Sequence, residues 1–260
     1  MSNEKYISFD LKADFAFFKK PDYNVGLQLS YNMLHKPALL GILGAIVGLE
    51  GYKRKGELPR YYQLLKNIPI GIEPIEKYHE RGNFQKTSVK YTNGVGYANA
   101  DGTLLVEETM LIKPAYRCYL QLNLADQTQA LLYETINKEQ CEYIPYLGKN
   151  EYQAWFTNIQ EWEAALMKKN DSFSINSIFI KKGTVRNQKV ETDLAFAFDS
   201  PVPLGSFSYF ERLPIGFSES LMQYQLGDFA FTDWKLKPES IVFSLYQFKN
   251  GNVQKIIQLF

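Results

Sequence analysis

The sequence predicts an α+β fold, and three observations lead there. An apolar, glycine-bearing helix lies near the start, at Pro37–Leu49. A run of strand-like segments alternating with only two good helices covers residues 1–170. Beyond Asp171 the chain is rich in β-type segments broken by Gly and Pro. Apolar residues make up 45% of the 260, enough for a real core.

The first element is a strand over Ile7–Phe15, with Ile7, Phe9 and Leu11 on one face at period 2. Phe17, Phe18, Lys19, Lys20 and Pro21 follow it. Lys beside Phe is a pairing used by single-stranded RNA binders, charge for phosphate and ring for base. It equally describes a solvated strand end over a packed ring.

Pro37 suits the first position of a helix through its fixed φ. No charged or polar side chain occurs from Ala38 to Leu49, so this helix is buried. Gly41, Gly44, Ala45 and Gly48 fall on one side, predicting close packing on a sheet; the run is too short to span a membrane. Tyr31, Asn32, His35 and Lys36 stand at its entrance, where free N–H groups and partial positive charge suit a phosphate. The plainer reading makes Asn32 or Lys36 a cap or flank. Lys19, Lys20 and Lys36 are expected to be exposed.

Lys53, Arg54 and Lys55 form a basic cluster between Gly51 and Gly56, suited to RNA, to a protein partner or simply to a soluble loop. Pro59 starts a short helix to Leu65, and Ile68–Ile75, with two prolines, reads as an edge strand. His79–Pro114 predicts a long hairpin with turn signals at Thr92–Gly94 and Ala100–Gly102 and a polar tip that projects. Ala115–Leu122 is the best core strand. Asp126 opens an amphipathic helix to about Lys138, Gln153–Ile159 returns as a strand, and Glu161–Asn170 predicts a short helix. The order strand, helix, strand, strand, helix, strand is the ferredoxin-like βαββαβ pattern, which also underlies RNA-recognition (RRM-like) domains. After Asp171, strands are expected at Phe173–Lys181, Thr192–Phe198, Phe207–Glu211, Phe229–Thr232 and Ile241–Phe248. The organisation predicted is 1–170 as the ferredoxin-like domain with a hairpin at about 79–114, and 171–260 as a β-rich subdomain packed on it.

The net charge is +1, but its distribution is uneven. Residues 1–90 carry 14 Lys and Arg against 9 Asp and Glu, whereas residues 91–171 carry 6 against 11. A basic first third and an acidic middle suit an anion on one face and a protein on another. The start of the chain has no basic flank followed by an apolar segment, and Cys118 and Cys141 offer neither metal spacing nor a disulfide framework, so a cytoplasmic setting without a membrane partner is expected. No nucleotide-binding, zinc-protease, nucleophile-elbow or CxxC motif occurs, and no cofactor is expected.

The stretch SYNMLHKPALLGILGAIVGLEGY resembles the first-helix signature of the CRISPR-associated Cas-five family, part of the RAMP superfamily. ISFDLKADFAFFKKP fits that family's first strand, and PYLGKNEYQAW (Pro145–Trp155) and FERLPIGF (Phe210–Phe217) fit in the right order. The likeness spans nearly the whole chain and is nearest the type I-B branch. It implies a non-catalytic subunit of a type I Cascade that caps the 5′ handle of crRNA. The inserted hairpin then serves as a thumb against the backbone subunit, another surface meets the large subunit, and target DNA passes nearby. The residues expected at RNA are Phe18, Lys19, Lys20, Tyr31, Asn32, His35, Lys36 and Arg54. The alternative is a metal-independent endoribonuclease processing precursor crRNA, with His35 beside Tyr31 and Lys36, or His79 beside Lys77, Tyr78 and Arg81, as its acid–base set.

Overall fold

The structure is a computed structural model and describes residues 3–22, 26–92, 105–181, 198–199, 201 and 203–260. The predicted hairpin tip and most of the Thr192–Phe198 strand lie outside these residues. The described part is mostly antiparallel strand, with three helices: α1 (Lys36–Ile46), α2 (Arg60–Leu65) and α3 (Gln127–Asn137). The strands before α1 are β1 (Glu4–Ala13) and the short β2 (Phe15–Ala16), β3 (Phe18–Lys19), β4 (Leu27–Gln28) and β5 (Ser30–Tyr31). Between α2 and α3 come β6 (Ile70–Pro74), β7 (His79–Glu80), β8 (Asn83–Phe84), β9 (Lys86–Thr92), β10 (Leu105–Ile112) and β11 (Ala115–Asn123). After α3 follow β12 (Ala154–Leu166), β13 (Phe179–Ile180), β14 (Ser208–Ser218), β15 (Gln223–Thr232), β16 (Leu245–Asn250) and β17 (Val253–Gln258).

The main sheet has six strands in the order β17-β16-β12-β1-β11-β6, and every pair in it is antiparallel. β1 is central because its alternation supplies one fully buried face: Ile7, Phe9 and Leu11 are all inaccessible to solvent. The opposite face carries Ser8 and Asp10, both buried and both partnered. Trp162 donates its indole N–H to the Ser8 hydroxyl (2.8 Å), and Arg117 Nε lies 2.7 Å from Asp10 Oδ1. β16 and β17 come from the stretch after residue 170, so the sheet runs through both halves of the chain. It also curls until its outer edges meet. Ile70 and Phe260 exchange both backbone hydrogen bonds (3.1 and 2.9 Å), and Asn176–Ile180 seals the gap through Asn176 N–H to Ile256 O and Ile178 N–H to Ile72 O, each 2.8 Å.

Two smaller sheets lie against this body. β10 pairs with β9, β2 and β4, and β14 and β15 form a long hairpin flanked by β13. The ten-residue core of β14 and β15 is longer than the Phe207–Glu211 and Phe229–Thr232 segments expected, because each strand supplies the other's hydrogen bonds where local alternation is weak. Glu161–Asn170 is not a helix. Its first half continues β12, whose 13 residues pair with β1 up to Trp162 and with β16 from Glu163 to Leu166. Two cross-strand partners outweigh the helix propensity of WEAAL.

Packing around α1 also departs from expectation. Two of its glycines pack on α2: a Cβ on Gly44 would lie 2.5 Å from the Tyr61 Cβ, and one on Gly41 would make ordinary contact with the same ring, while Gly48 faces Glu142. The N-cap is His35, whose Nδ1 accepts the Ala38 N–H (3.3 Å); neither Asn32 nor Lys36 has that role. α3 follows the sequence closely, since the Asp126 side chain caps it by accepting from the Thr128 and Gln129 N–H groups.

Candidate functional site: an aromatic groove along the first helix

A cleft of about 1050 Å³ runs along the outer side of α1. Its floor is Pro37, Ala38, Gly41, Ile42 and Ala45. One wall is built from Phe17–Lys19 and the Tyr143–Lys149 segment, the other from Tyr52, Tyr61, Phe217 and Tyr224.

The walls stand where they do for identifiable reasons. A helix leaves its last carbonyls without partners, and here the Tyr143 and Glu142 N–H groups take those of Ala45 (3.1 Å) and Ile46 (2.9 Å). That fixes Tyr143-Ile144-Pro145-Tyr146 against the helix end. The Phe17 N–H donates to Leu147 O (3.1 Å), and Gly148, at φ +88°, brings its Cα against the Phe17 carbonyl. A Cβ there would sit 1.9 Å from that oxygen, so only glycine fits. Across the groove Phe217 stacks on Tyr224 at 4.9 Å and 26°, and the Phe217 N–H donates to the Tyr62 hydroxyl (2.7 Å).

The groove offers ring surface. Tyr52, Tyr143 and Tyr146 are 59, 58 and 42% exposed, and Ile144 63%. Its charges largely cancel. Lys53 pairs with Glu50, and Lys149 pairs with Glu108 (2.8 Å) and Glu151 (2.9 Å) while lying 4.4 Å from the Tyr91 ring centre. Burial works against the Lys149 ammonium, but the two carboxylates outweigh it and hold the group protonated. Lys19 is exposed on the rim.

The eight residues expected at RNA divide sharply. Lys19 and Arg54 are exposed, Arg54 beside Glu57 at 3.7 Å. Lys20 is half-buried, 3.2 Å from Glu211 and over the Tyr31 ring. Phe18, Tyr31, Asn32, His35 and Lys36 are buried. Of these only Phe18 and His35 reach the groove lining. His35 sits edge-on among Phe18, Tyr31 and Tyr224, at 5.4–5.8 Å, and burial pushes its pKa down to about 3. Burial likewise pushes Tyr31 up to about 12. Asn32 spends its polar atoms on the fold. Its amide donates to Gly82 O (2.7 Å), its Oδ1 accepts the Phe84 N–H (3.0 Å), and its carbonyl accepts the Tyr116 hydroxyl (3.0 Å).

Lys36, expected to be exposed, is buried and donates to the main-chain oxygen of Phe260 (2.8 Å), across the seam of the sheet. Burial lowers its pKa to about 8. A lysine lowered from about 10.5 disfavours folding while it must be charged, and that penalty fades as pH rises from 8 towards 10.5. Lys36→Met is therefore expected to raise the melting temperature at pH 7 by an amount that shrinks by pH 10. A pH-independent difference between variant and parent would contradict this.

Nothing in the sequence singles out the groove rings Tyr52, Tyr61, Tyr143, Tyr146 and Tyr224. The nearest signal is the run YIPYLGK, with four large apolar or aromatic side chains around a proline. Nor does the sequence single out Glu211, inside FERLPIGF. It accepts the Asn32 N–H (3.1 Å), the Met33 N–H (3.1 Å) and the Tyr209 hydroxyl (2.8 Å).

No family model and no curated protein matches the sequence. Among the described residues no helix is long and apolar enough to cross a membrane. Several solved structures are similar in shape at low identity. A CRISPR protein from Archaeoglobus fulgidus is 10% identical, with 98% of this chain and 99% of that one covered and a TM-score of 0.49. A chain of a type III-B Cmr-beta complex bound to cognate target RNA gives 10%, 90 and 86%, and 0.48. A chain of a CRISPR RNA-guided surveillance complex gives 10%, 88 and 90%, and 0.46.

Proposed function

We propose that this chain is a non-catalytic RNA-binding subunit of a type I CRISPR surveillance complex, holding the 5′ handle of crRNA in the groove along α1. The observation that carries the reading is the exposed ring surface of Tyr52, Tyr143 and Tyr146 facing the α1 floor, with Lys19 on the rim. Unstacked bases bind to such rings without needing duplex geometry. The strand order supports the same reading. Taken alone, β1, α1, β6, β11, α3 and β12 run strand, helix, strand, strand, helix, strand, with the four strands side by side as β12-β1-β11-β6, an order we read as ferredoxin-like. The β9–β10 hairpin is the segment that would lie on a neighbouring backbone subunit.

The absence of catalysis in this proposal rests on the histidines. His35 is buried, with Nδ1 engaged by the helix cap, and at a pKa near 3 it is a poor base at neutral pH. His79 accepts the Gly82 N–H at Nδ1 (3.0 Å) and is packed edge-on between Phe84 and Phe231.

The test is binding of handle RNA to the purified chain, compared with a scrambled strand of equal length and with the handle embedded inside a longer RNA. Preference for the free 5′ handle is expected, and Tyr52→Ala and Tyr146→Ala should each weaken it by about tenfold, in line with about 1–3 kcal/mol per stacked base. Equal binding to all three RNAs, or a discrete cleavage product from full repeat RNA in EDTA, would overturn the reading.

A further inference from the structure

A second cleft, of about 700 Å³, lies at the base of the β9–β10 hairpin, and its sequence forgoes local stability in an unusual way. It is lined by Lys77, Tyr78, Arg81 and Lys113, with Glu80 the carboxylate among its lining residues. Lys77 (φ 74°), Arg81 (φ 50°) and Lys113 (φ 47°) are all left-handed. Across the described residues seven non-glycine positions have positive φ, so three of the seven meet in this one cleft.

Each of the three sits at a turn where a short residue would be easier. β7 and β8 are joined by two residues, Arg81-Gly82, both at positive φ, between the paired Glu80 and Asn83. That is the hairpin turn which strongly prefers Asn-Gly. Lys77 closes the turn in which the Tyr78 N–H donates to Ile75 O (3.3 Å), and Lys113 links β10 to β11 just before Pro114. A long cation stands where Asn or Gly would relieve the backbone at all three. All three are exposed, and none is within salt-bridge distance of a carboxylate among the described residues. Tyr78 beside them is 39% exposed, with Lys12 Nζ 5.5 Å from its ring centre. The turn is held rigidly from behind, since Asn32 bonds both Gly82 O and the Phe84 N–H. Strain of this kind persists where the surroundings over-determine the backbone, and it gathers at working surfaces.

We propose that this cleft is a second single-strand site, gripping the phosphodiester backbone through Lys77, Arg81 and Lys113 while a base lies on Tyr78. It differs in kind from the groove, whose charges are mostly paired and whose offer is ring surface. It stands on its own residues and does not depend on what the groove holds. Three contacts to a single strand give a log–log salt slope of roughly −2.

The test uses the full chain with fluorescent oligouridylate and oligothymidylate of equal length. A triple variant, Lys77→Asn, Arg81→Asn and Lys113→Asn, removes the cations while suiting the left-handed backbone, and a second triple variant with Gly at each position guards against a folding failure in the first. Affinity is expected to fall by about tenfold or more and the salt slope to flatten by roughly 2, while the melting temperature holds or rises. Loss with RNA alone identifies the ligand as RNA, and loss with both identifies a backbone site indifferent to the sugar; either supports the proposal. Unchanged affinity and slope for both oligonucleotides, in whichever triple variant keeps the parent's melting temperature, overturns it, as does loss of stability along with binding in both triple variants. Tyr52→Ala and Tyr146→Ala serve as the comparison. Weakening there, with none in the cleft variants, would sink this site and leave the groove standing.

Discussion

Gly148→Ala is expected to destabilise the chain by about 2–5 kcal/mol, combining left-handed strain with overpacking. The added methyl would have to stand 1.9 Å from the Phe17 carbonyl oxygen, and backbone atoms on both sides leave little room to yield. At this chain length that corresponds to a fall of roughly 5–15 °C in melting temperature. The effect should extend to function. Gly148 holds Phe17–Lys19 to Leu147–Lys149, which are two parts of one groove wall. If the groove holds RNA as proposed, that binding should weaken even in variant protein that remains folded at low temperature. A melting curve superimposable on the parent's would show that this approach is looser than described.

Glu211→Ala should be of similar size, about 3–5 kcal/mol, for a different reason. The carboxylate is buried and accepts from two consecutive backbone N–H groups, Asn32 and Met33, and from the Tyr209 hydroxyl. Deleting it leaves those donors without an acceptor, at about 1–3 kcal/mol each. Glu211→Gln keeps one acceptor oxygen and should fall between parent and alanine. Lys20 loses its carboxylate partner in both variants, but that pair is partly solvated and adds little. Because Asn32 in turn holds Gly82 and Phe84, chemical denaturation of Glu211→Ala should be accompanied by faster hydrogen exchange at the Arg81–Phe84 turn. Unaltered exchange there would mean that the turn is anchored without Asn32.

What could be read from the sequence was what is encoded locally. Pro37 and the run Ala38–Leu49 mark α1, Asp126 marks the start of α3, and the alternation of Ala115–Leu122 marks β11, since one segment contains the whole signal in each case. The second half of β12 is not legible as a strand, because its strand character comes from β1 and β16, not from WEAAL itself. The entrance to α1 is legible in the sequence, but not that its polar side chains turn inward. Asn32, His35 and Lys36 look like ligands in one dimension, yet their partners are Gly82, Ala38 and Phe260, far away in sequence or inside the cap. The groove has no motif because its rings come from separate segments, at Tyr52, Tyr61, Tyr143, Tyr146 and Tyr224. No periodicity links them. Only the packing of four segments around α1 does.

The seam between Ile70 and Phe260 has a consequence for how the chain reaches this state. The Lys36–Phe260 bond joins residues 224 apart, and β1 must find β11 and β12 more than 100 residues downstream. A search dominated by such distant encounters is slow, because loop entropy is spent before any contact repays it. α1, α3 and the β9–β10 and β14–β15 hairpins can form early, whereas the ring of strands cannot close until the last segment arrives. Refolding from denaturant should accordingly show helical signal well before protection of the Ile70 and Phe260 amides. In that interval β6 and β17 are open edges, and the half-built sheet is most prone to pair with another copy of itself.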